Sequence, residues 1–181
     1  SPPHSAGQSY TLTFPQSISA DTFLKTDGSG NLSFASAGGA NTPGFLAYLS
    51  SNQTISHNST TKIQCNTEVY DTDNAYDNSS NFRFTVPSGK AGKYHIFGQV
   101  RPNTSTDYEY SEAIIKVNGS DKIQTTARNI GRDTLVMVST LDLSVGDYIE
   151  LFYYQDSGGD ITVSGNASVH RTFLGGYKLI D

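Results

Sequence analysis

From Phe45 onward, short apolar stretches recur about every 8 to 14 residues, and nothing between them has helical periodicity. Phe45–Leu49, Lys62–Cys65, Glu68–Tyr70, Phe82–Val86 and Tyr94–Val100 come first. Ala113–Val117, Ile123–Ala127, Leu135–Leu143, Tyr148–Gln155 and Thr172–Ile180 follow. Gly, Asn, Asp, Ser and Pro fill the gaps, the residues that make tight turns affordable in backbone strain. Such a series predicts ten antiparallel strands in an all-β sandwich or barrel. Composition points the same way. Only 16% of residues are charged, against the usual quarter, so the surface is polar without being strongly ionic. Thr, Tyr, Phe, Val and Ile suit pleated surfaces, whereas the strong helix formers are scarce.

The remaining arithmetic excludes whole classes. A net charge of −5 and a pI near 5.2 oppose nucleic-acid binding driven by phosphate contacts. One cysteine, Cys65, cannot close an internal disulfide. No run of about 18 apolar residues is present, so no membrane insertion is expected. Ser1–Ser9 lacks the basic and apolar segments of a signal peptide, and the sequence starts without Met, as a processed or excised piece would.

The texture changes near residue 42, which predicts two parts, residues 1–42 and 43–181. In the first, Tyr10–Phe14 alternates like a strand and stops at Pro15. Thr22–Lys25 and Leu32–Phe34 flank Asp27-Gly28-Ser29-Gly30, a hairpin loop by composition. Too few apolar residues are present for a self-sufficient core, so the segment must lean on another chain or domain. A Gly/Ala/Ser linker follows.

The phrase Tyr10-Thr11-Leu12-Thr13-Phe14-Pro15, followed by Leu24-Lys25-Thr26-Asp27-Gly28-Ser29-Gly30-Asn31-Leu32-Ser33-Phe34, resembles a repeat of bacteriophage fibre and virion-structural proteins. There it precedes a surface-displayed C-terminal domain. The resemblance implies a β-structured stalk that docks on other virion proteins.

Two later strands are apolar on both faces. Tyr148–Tyr154 shows Tyr148, Glu150, Phe152 and Tyr154 on one side, and Ile149, Leu151 and Tyr153 on the other. Leu135–Val138 behaves alike. A strand on the outside of a monomeric sandwich should alternate, so a second cover is needed, and a neighbouring copy is the economical source. A second resemblance then becomes specific. Asp71–Asp77, Phe82–Pro87 and Gly92–Phe97 look like the central signature of complement-one-q globular heads, Leu141–Leu151 like their late strands, and Thr172–Leu179 like their closing strand. That family, with its tumour-necrosis-factor relatives, implies a ten-stranded jelly roll assembled as a homotrimer. Ile96 and Gly98 depart from the aromatics it favours at those positions. The expected trimer contacts are Ile149, Leu151, Tyr153, Val136, Val138, Phe173 and Tyr177.

Chemistry is sparse. Asp71, Asp73 and Asp77 invite a calcium reading, but Ala75 and Tyr76 occupy positions an EF-hand loop needs, and no Glu closes it. His4, His57, His95 and His170 share no metal-ligand spacing. No nucleophile elbow or cysteine–histidine pair is evident, and Glu109 with Glu112 is too weak a pattern for a glycosidase. No metal, cofactor or enzymatic activity is therefore expected. Recognition is, because saccharide and small-ligand sites combine aromatic faces with a few polar groups. The loop Arg101–Glu112, with Asp107, Tyr108, Glu109 and Tyr110, is the first candidate for host-surface contact, to a glycan or a protein. Tyr70, Tyr76 and Asn78 in the other long loop are the second. The function expected is non-covalent attachment by the distal knob of a phage fibre. A capsid decoration protein and a secreted complement-like binding protein are the alternatives.

Overall fold

A computed structural model describes residues 11–17, 22–36, 40–104, 110–128 and 133–180. They fall into two compact units, one reaching Ala40 and the other spanning Asn41–Leu179.

The first unit holds an antiparallel hairpin of β1 (Thr22–Thr26) and β2 (Leu32–Ser36). Its turn is organised by one carboxylate. Asp27 Oδ1 accepts the backbone N–H groups of Ser29 and Asn31, while Oδ2 accepts the Asn31 side-chain amide at 2.8 Å. Gly28 and Gly30 take the positive φ values, 81° and 95°, that this closure requires. Of the expected strand at Tyr10–Phe14, Tyr10 lies outside the described residues, and pairing is confined to a parallel bridge between Thr13 and Asn31. Pro15 ends the segment before a longer ladder can form. Leu12, Phe14, Phe23 and Leu24 all remain exposed.

The second unit is all-β, a sandwich of two antiparallel sheets. One sheet contains β3 (Gly44–Tyr48), β6 (Thr67–Asp71), β9 (Gly92–Val100), β12 (Leu135–Leu143) and β15 (Phe173–Lys178), in the order β12-β9-β15-β3-β6. The other contains β5 (Thr61–Lys62), β7 (Tyr76–Asp77), β8 (Arg83–Thr85), β10 (Ser111–Val117), β11 (Ser120–Ala127) and β13 (Tyr148–Gln155), in the order β11-β10-β13-β8-β7, with β5 also on β13. A ribbon of β4 (Gln53–Ile55) and β14 (Ile161–Val163) completes the fold. Each of the ten expected strands has a counterpart, and β4, β7 and β14 add to them. These three are two or three residues long, too short to show a period of two.

Alternation places the core between the sheets. Tyr94, Ile96 and Val100 of β9 point inward against Ile115 of β10 and Ile149, Leu151 and Tyr153 of β13, all essentially inaccessible. An aromatic stack runs through one flank: Phe45 lies 4.5 Å from Phe84 and 5.4 Å from Tyr76, with the rings nearly parallel. The Tyr76 hydroxyl donates to the Cys65 carbonyl and the Tyr94 hydroxyl to the Lys90 carbonyl, so neither buried ring strands a polar atom. Burial pushes the Cys65 thiol up to about 12, which leaves it an unreactive small hydrophobe. Gly98 fits where an aromatic was expected because Ile115 lies only 3.3 Å from where its Cβ would stand.

The strand registers define two ends. Gly44, Gly92, Leu143 and Tyr148 mark the end at which the chain enters the sandwich, and Lys178 leaves there too. Tyr48, Val100, Leu135, Ser111 and Gln155 mark the opposite end.

Candidate functional site

Two surfaces carry the residues singled out from the sequence, and they differ in chemistry. The first is the outer face of the five-stranded sheet. Register aligns Val136, Gln99 and Phe173 in one row, and Val138, Phe97, Gly175, Leu46 and Tyr70 in the next. A third row holds Thr140, His95 and Tyr177. None of these residues is Asp, Glu, Lys or Arg. Val136 and Val138 are each 59% exposed, and Val69 and Tyr70 are also open. The rings form a continuous surface: Phe97 meets Phe173 edge-on at 6.3 Å, and His95 lies 5.4 Å from Tyr177. Gly175 makes that surface flat. A Cβ there would stand 2.5 Å from the Phe97 ring and 3.0 Å from Leu46, so only glycine lets the ring lie across the strand.

Of the seven expected trimer contacts, Val136, Val138, Phe173 and Tyr177 lie on this face. Ile149, Leu151 and Tyr153 do not: they are buried inside the chain's own core. The second cover that β13 needs comes from the same chain. On its outward side, Lys62 and Lys116 lie 5.8 and 4.9 Å from the Phe152 ring, and Arg83 lies 4.2 Å from Tyr148. Lys62 also pairs with Glu150, whose side chain is 8% exposed. Long cationic side chains thus roof the aromatics, their stems providing apolar cover while the Lys62 and Lys116 heads pair with Glu150 and Asp121.

The second surface lies at the end opposite the one where the chain enters. Tyr110, just before β10, and Tyr154, late in β13, have ring centroids 5.9 Å apart at 58°. Register puts Glu112 beside Tyr154. The Tyr154 hydroxyl donates to Asn58 Oδ1 at 2.9 Å, and Gln124 Nε2 donates to Glu112 Oε1. Arg128 stands 5.3 Å from the Tyr110 ring. Partial burial, then the charge of Glu112 and a hydrogen bond to it, raise the Tyr110 hydroxyl above its ordinary value and keep it a donor. The position of Tyr110 itself is fixed by its backbone N–H donating to Asp156 Oδ1 at 2.8 Å.

Asp107, Tyr108 and Glu109 lie outside the described residues. Tyr76 is a correction: it is 6% exposed and belongs to the aromatic core, because pairing with Phe84 stacks its ring on Phe45 and its hydroxyl reaches the Cys65 carbonyl. Asn78 is half-buried beside a turn held by Asp77, which accepts the backbone N–H groups of Ser79, Ser80 and Asn81. Those bonds hold the Asp77 carboxyl far below the usual carboxylate range. Asp71 likewise accepts from the backbone of Asp73 and Tyr76. The acidic loop spends its oxygens on its own turn, and no group of three or more potential metal ligands occurs among the described residues. Tyr154, Asn58, Arg128, His95 and Phe97 were not among the expected site residues. Tyr154, Asn58 and Arg128 are far apart in the sequence and meet around Tyr110 only in the folded chain, while His95 and Phe97 join the other face through the register of β9 with its neighbours.

An open cleft of about 360 Å³ lies at the end where the chain enters, bordered by Val117, Asn118, Lys122, Leu141, Asp142 and Asp147. Asn118 and Asp147 are occupied with each other, at 2.7 Å. No helix among the described residues is long and apolar enough to cross a membrane.

No family model matches the sequence, and no curated protein matches it. Solved structures do. The structure of Eiger TNF from S. frugiperda aligns with a TM-score of 0.56 at 14% identity, over 77% of this chain and 94% of that one. Murine APRIL at pH 8.0 aligns with a TM-score of 0.58 at 15% identity, over 75% and 98%. The globular domain of zebrafish complement 1qA aligns with a TM-score of 0.52 at 14% identity, over 76% and 97%. Identities this low speak to architecture, and on that ground residues 41–179 have the jelly-roll fold shared by tumour-necrosis-factor-like and complement-one-q-like domains.

Proposed function

We propose that the sandwich is a homotrimeric, non-catalytic recognition head, and that it is displayed on a bacteriophage virion as the distal part of a fibre. The outer face of the five-stranded sheet carries this reading. Three adjacent rows without a charged residue, with two valines more than half exposed, make a patch that a soluble monomer rarely leaves open. A second and third copy cover it. Fold likeness supports the same arrangement, since trimers are what the family resemblance implies. Three modest ligand sites on one trimer then bind a surface more tightly than one alone, by raising the effective concentration of the second and third.

The N-terminal segment favours a virion over a free secreted protein. Its hairpin and fibre-like phrase suit docking on other virion proteins, with four exposed apolar side chains, Leu12, Phe14, Phe23 and Leu24, ready to be covered. A secreted complement-like binding protein is the second reading, favoured by the likeness of the head to zebrafish complement 1qA. Gold-labelled antibody against the head, viewed on intact particles, separates these readings. Label at fibre tips supports the attachment role, label over the capsid shell supports a decoration protein, and particles without label leave the secreted reading.

A further inference from the structure

We propose that the cluster of Tyr110, Tyr154, Asn58, Glu112, Gln124 and Arg128 is a saccharide-binding site. The inference rests on the recognition-head reading and names its ligand class. Two tyrosine rings tilted at 58° with centroids 5.9 Å apart offer C–H-rich sugar faces an aromatic corner rather than a flat stack. Around it stand planar groups that keep a second donor or acceptor after bonding one another: the Asn58 amide keeps its N–H groups, Gln124 its oxygen and Glu112 its second oxygen, with the Arg128 guanidinium beside them. That is the set suited to vicinal hydroxyls, which each present a donor and an acceptor a fixed distance apart. Asn58, Gln124 and Arg128 are exposed, and Tyr110, Tyr154 and Glu112 are half-buried, so the corner is both anchored and open.

Placement strengthens the case. The cluster lies on the outward side of the six-stranded sheet, away from the rows of the other sheet proposed for self-association. It also lies at the end opposite the one where the chain enters, so assembly through the five-stranded sheet leaves it accessible. Elsewhere on the same sheet, Lys62, Lys116 and Arg83 lie over aromatic rings, but two of the three are tied to Phe152, and among the described residues of this sheet only this corner joins two rings to amides. Arg128 is a guanidinium without a carboxylate partner among the described ion pairs, and it selects sugars bearing a carboxylate.

The test is saturation-transfer NMR and amide-shift mapping on the full chain, titrated with trigalacturonate, 3′-sialyllactose and maltotriose. Binding of one or both acidic sugars is expected, with shifts confined to residues around Tyr110, Tyr154 and Asn58. Tyr110→Ala should weaken it about tenfold, the effect of one lost aromatic contact. Arg128→Gln should remove the preference over maltotriose. Tyr154→Phe, which keeps the ring and drops only the hydroxyl, guards against loss of fold and should weaken binding by a smaller factor. Saccharide shifts that map to the cleft beside Lys122, or none with any of the three sugars, overturn the site. A head that still labels host cells, unaffected by Tyr110→Ala, would overturn the site while leaving the recognition role standing.

Discussion

Gly175 illustrates how a single residue serves two levels at once. Its missing side chain lets Phe97 lie flat, and Phe97 in turn builds the middle of the apolar face. Gly175→Ala must displace the ring, at a cost of about 1–3 kcal/mol. Differential scanning calorimetry should show that loss, and self-association should weaken with it. Tyr76 makes the opposite point: it looked like a binding residue and is a core residue. Tyr76→Phe removes the bond to the Cys65 carbonyl, should cost about 1 kcal/mol in denaturant titration, and should leave recognition unchanged. Asp77 gives a pH signature. Its carboxyl is depressed in the folded state, first by the Ser80 and Ser79 N–H groups and then by Asn81, so its contribution is fully present above the ordinary value of 3.8. It is lost as pH falls through the lower folded value. Asp77→Ala should therefore flatten the acid side of the stability profile below about pH 4 and lower stability at neutral pH, measured by urea titration across pH.

At the scale of elements, what the sequence discloses is alternation, and what it hides is register. Strands of five or more residues betray themselves by period and by flanking turn residues; β4 and β14 hold each other across more than a hundred residues, and β7 is a two-residue arm of a local hairpin with β8, so none of the three leaves such a trace. The two doubly apolar strands show the limit more sharply. β12 buries Leu135 and Met137 and leaves Val136 and Val138 open, the second face that the proposed self-association covers. β13 has a similar pattern, yet its outward rings are roofed by Lys62, Lys116 and Arg83 from β5, β10 and β8. Sequence alone cannot tell a face awaiting another chain from one covered by its own cations, because the difference lies in which strands are adjacent. For the same reason Tyr110 was legible as a candidate while Tyr154, Asn58 and Arg128 were not. The roof is testable: Lys116→Ala should uncover Phe152 and destabilise the fold by about 1 kcal/mol in thermal unfolding, whereas Lys62→Ala should cost more, because it also leaves the nearly buried Glu150 without its cation.

For the molecule as a whole, the two outer faces of the sandwich divide the work. One carries three adjacent rows without Asp, Glu, Lys or Arg, the surface proposed for self-association; the other sets cations over aromatic rings and carries the proposed ligand corner. The first and last strands of the sandwich, β3 and β15, begin and finish at one pole, and the Tyr110–Tyr154 corner lies at the other. Covering Val136 and Val138, each more than half exposed, contributes roughly 1 kcal/mol apiece per protomer, and the rings beside them add to it. Sedimentation equilibrium of the full chain tests this arrangement most directly. A species of three times the 19.5 kDa chain mass is expected at micromolar concentration, with Val136→Asp plus Val138→Asp giving a folded monomer. A wild-type monomer, or a trimer indifferent to both aspartates, would contradict it.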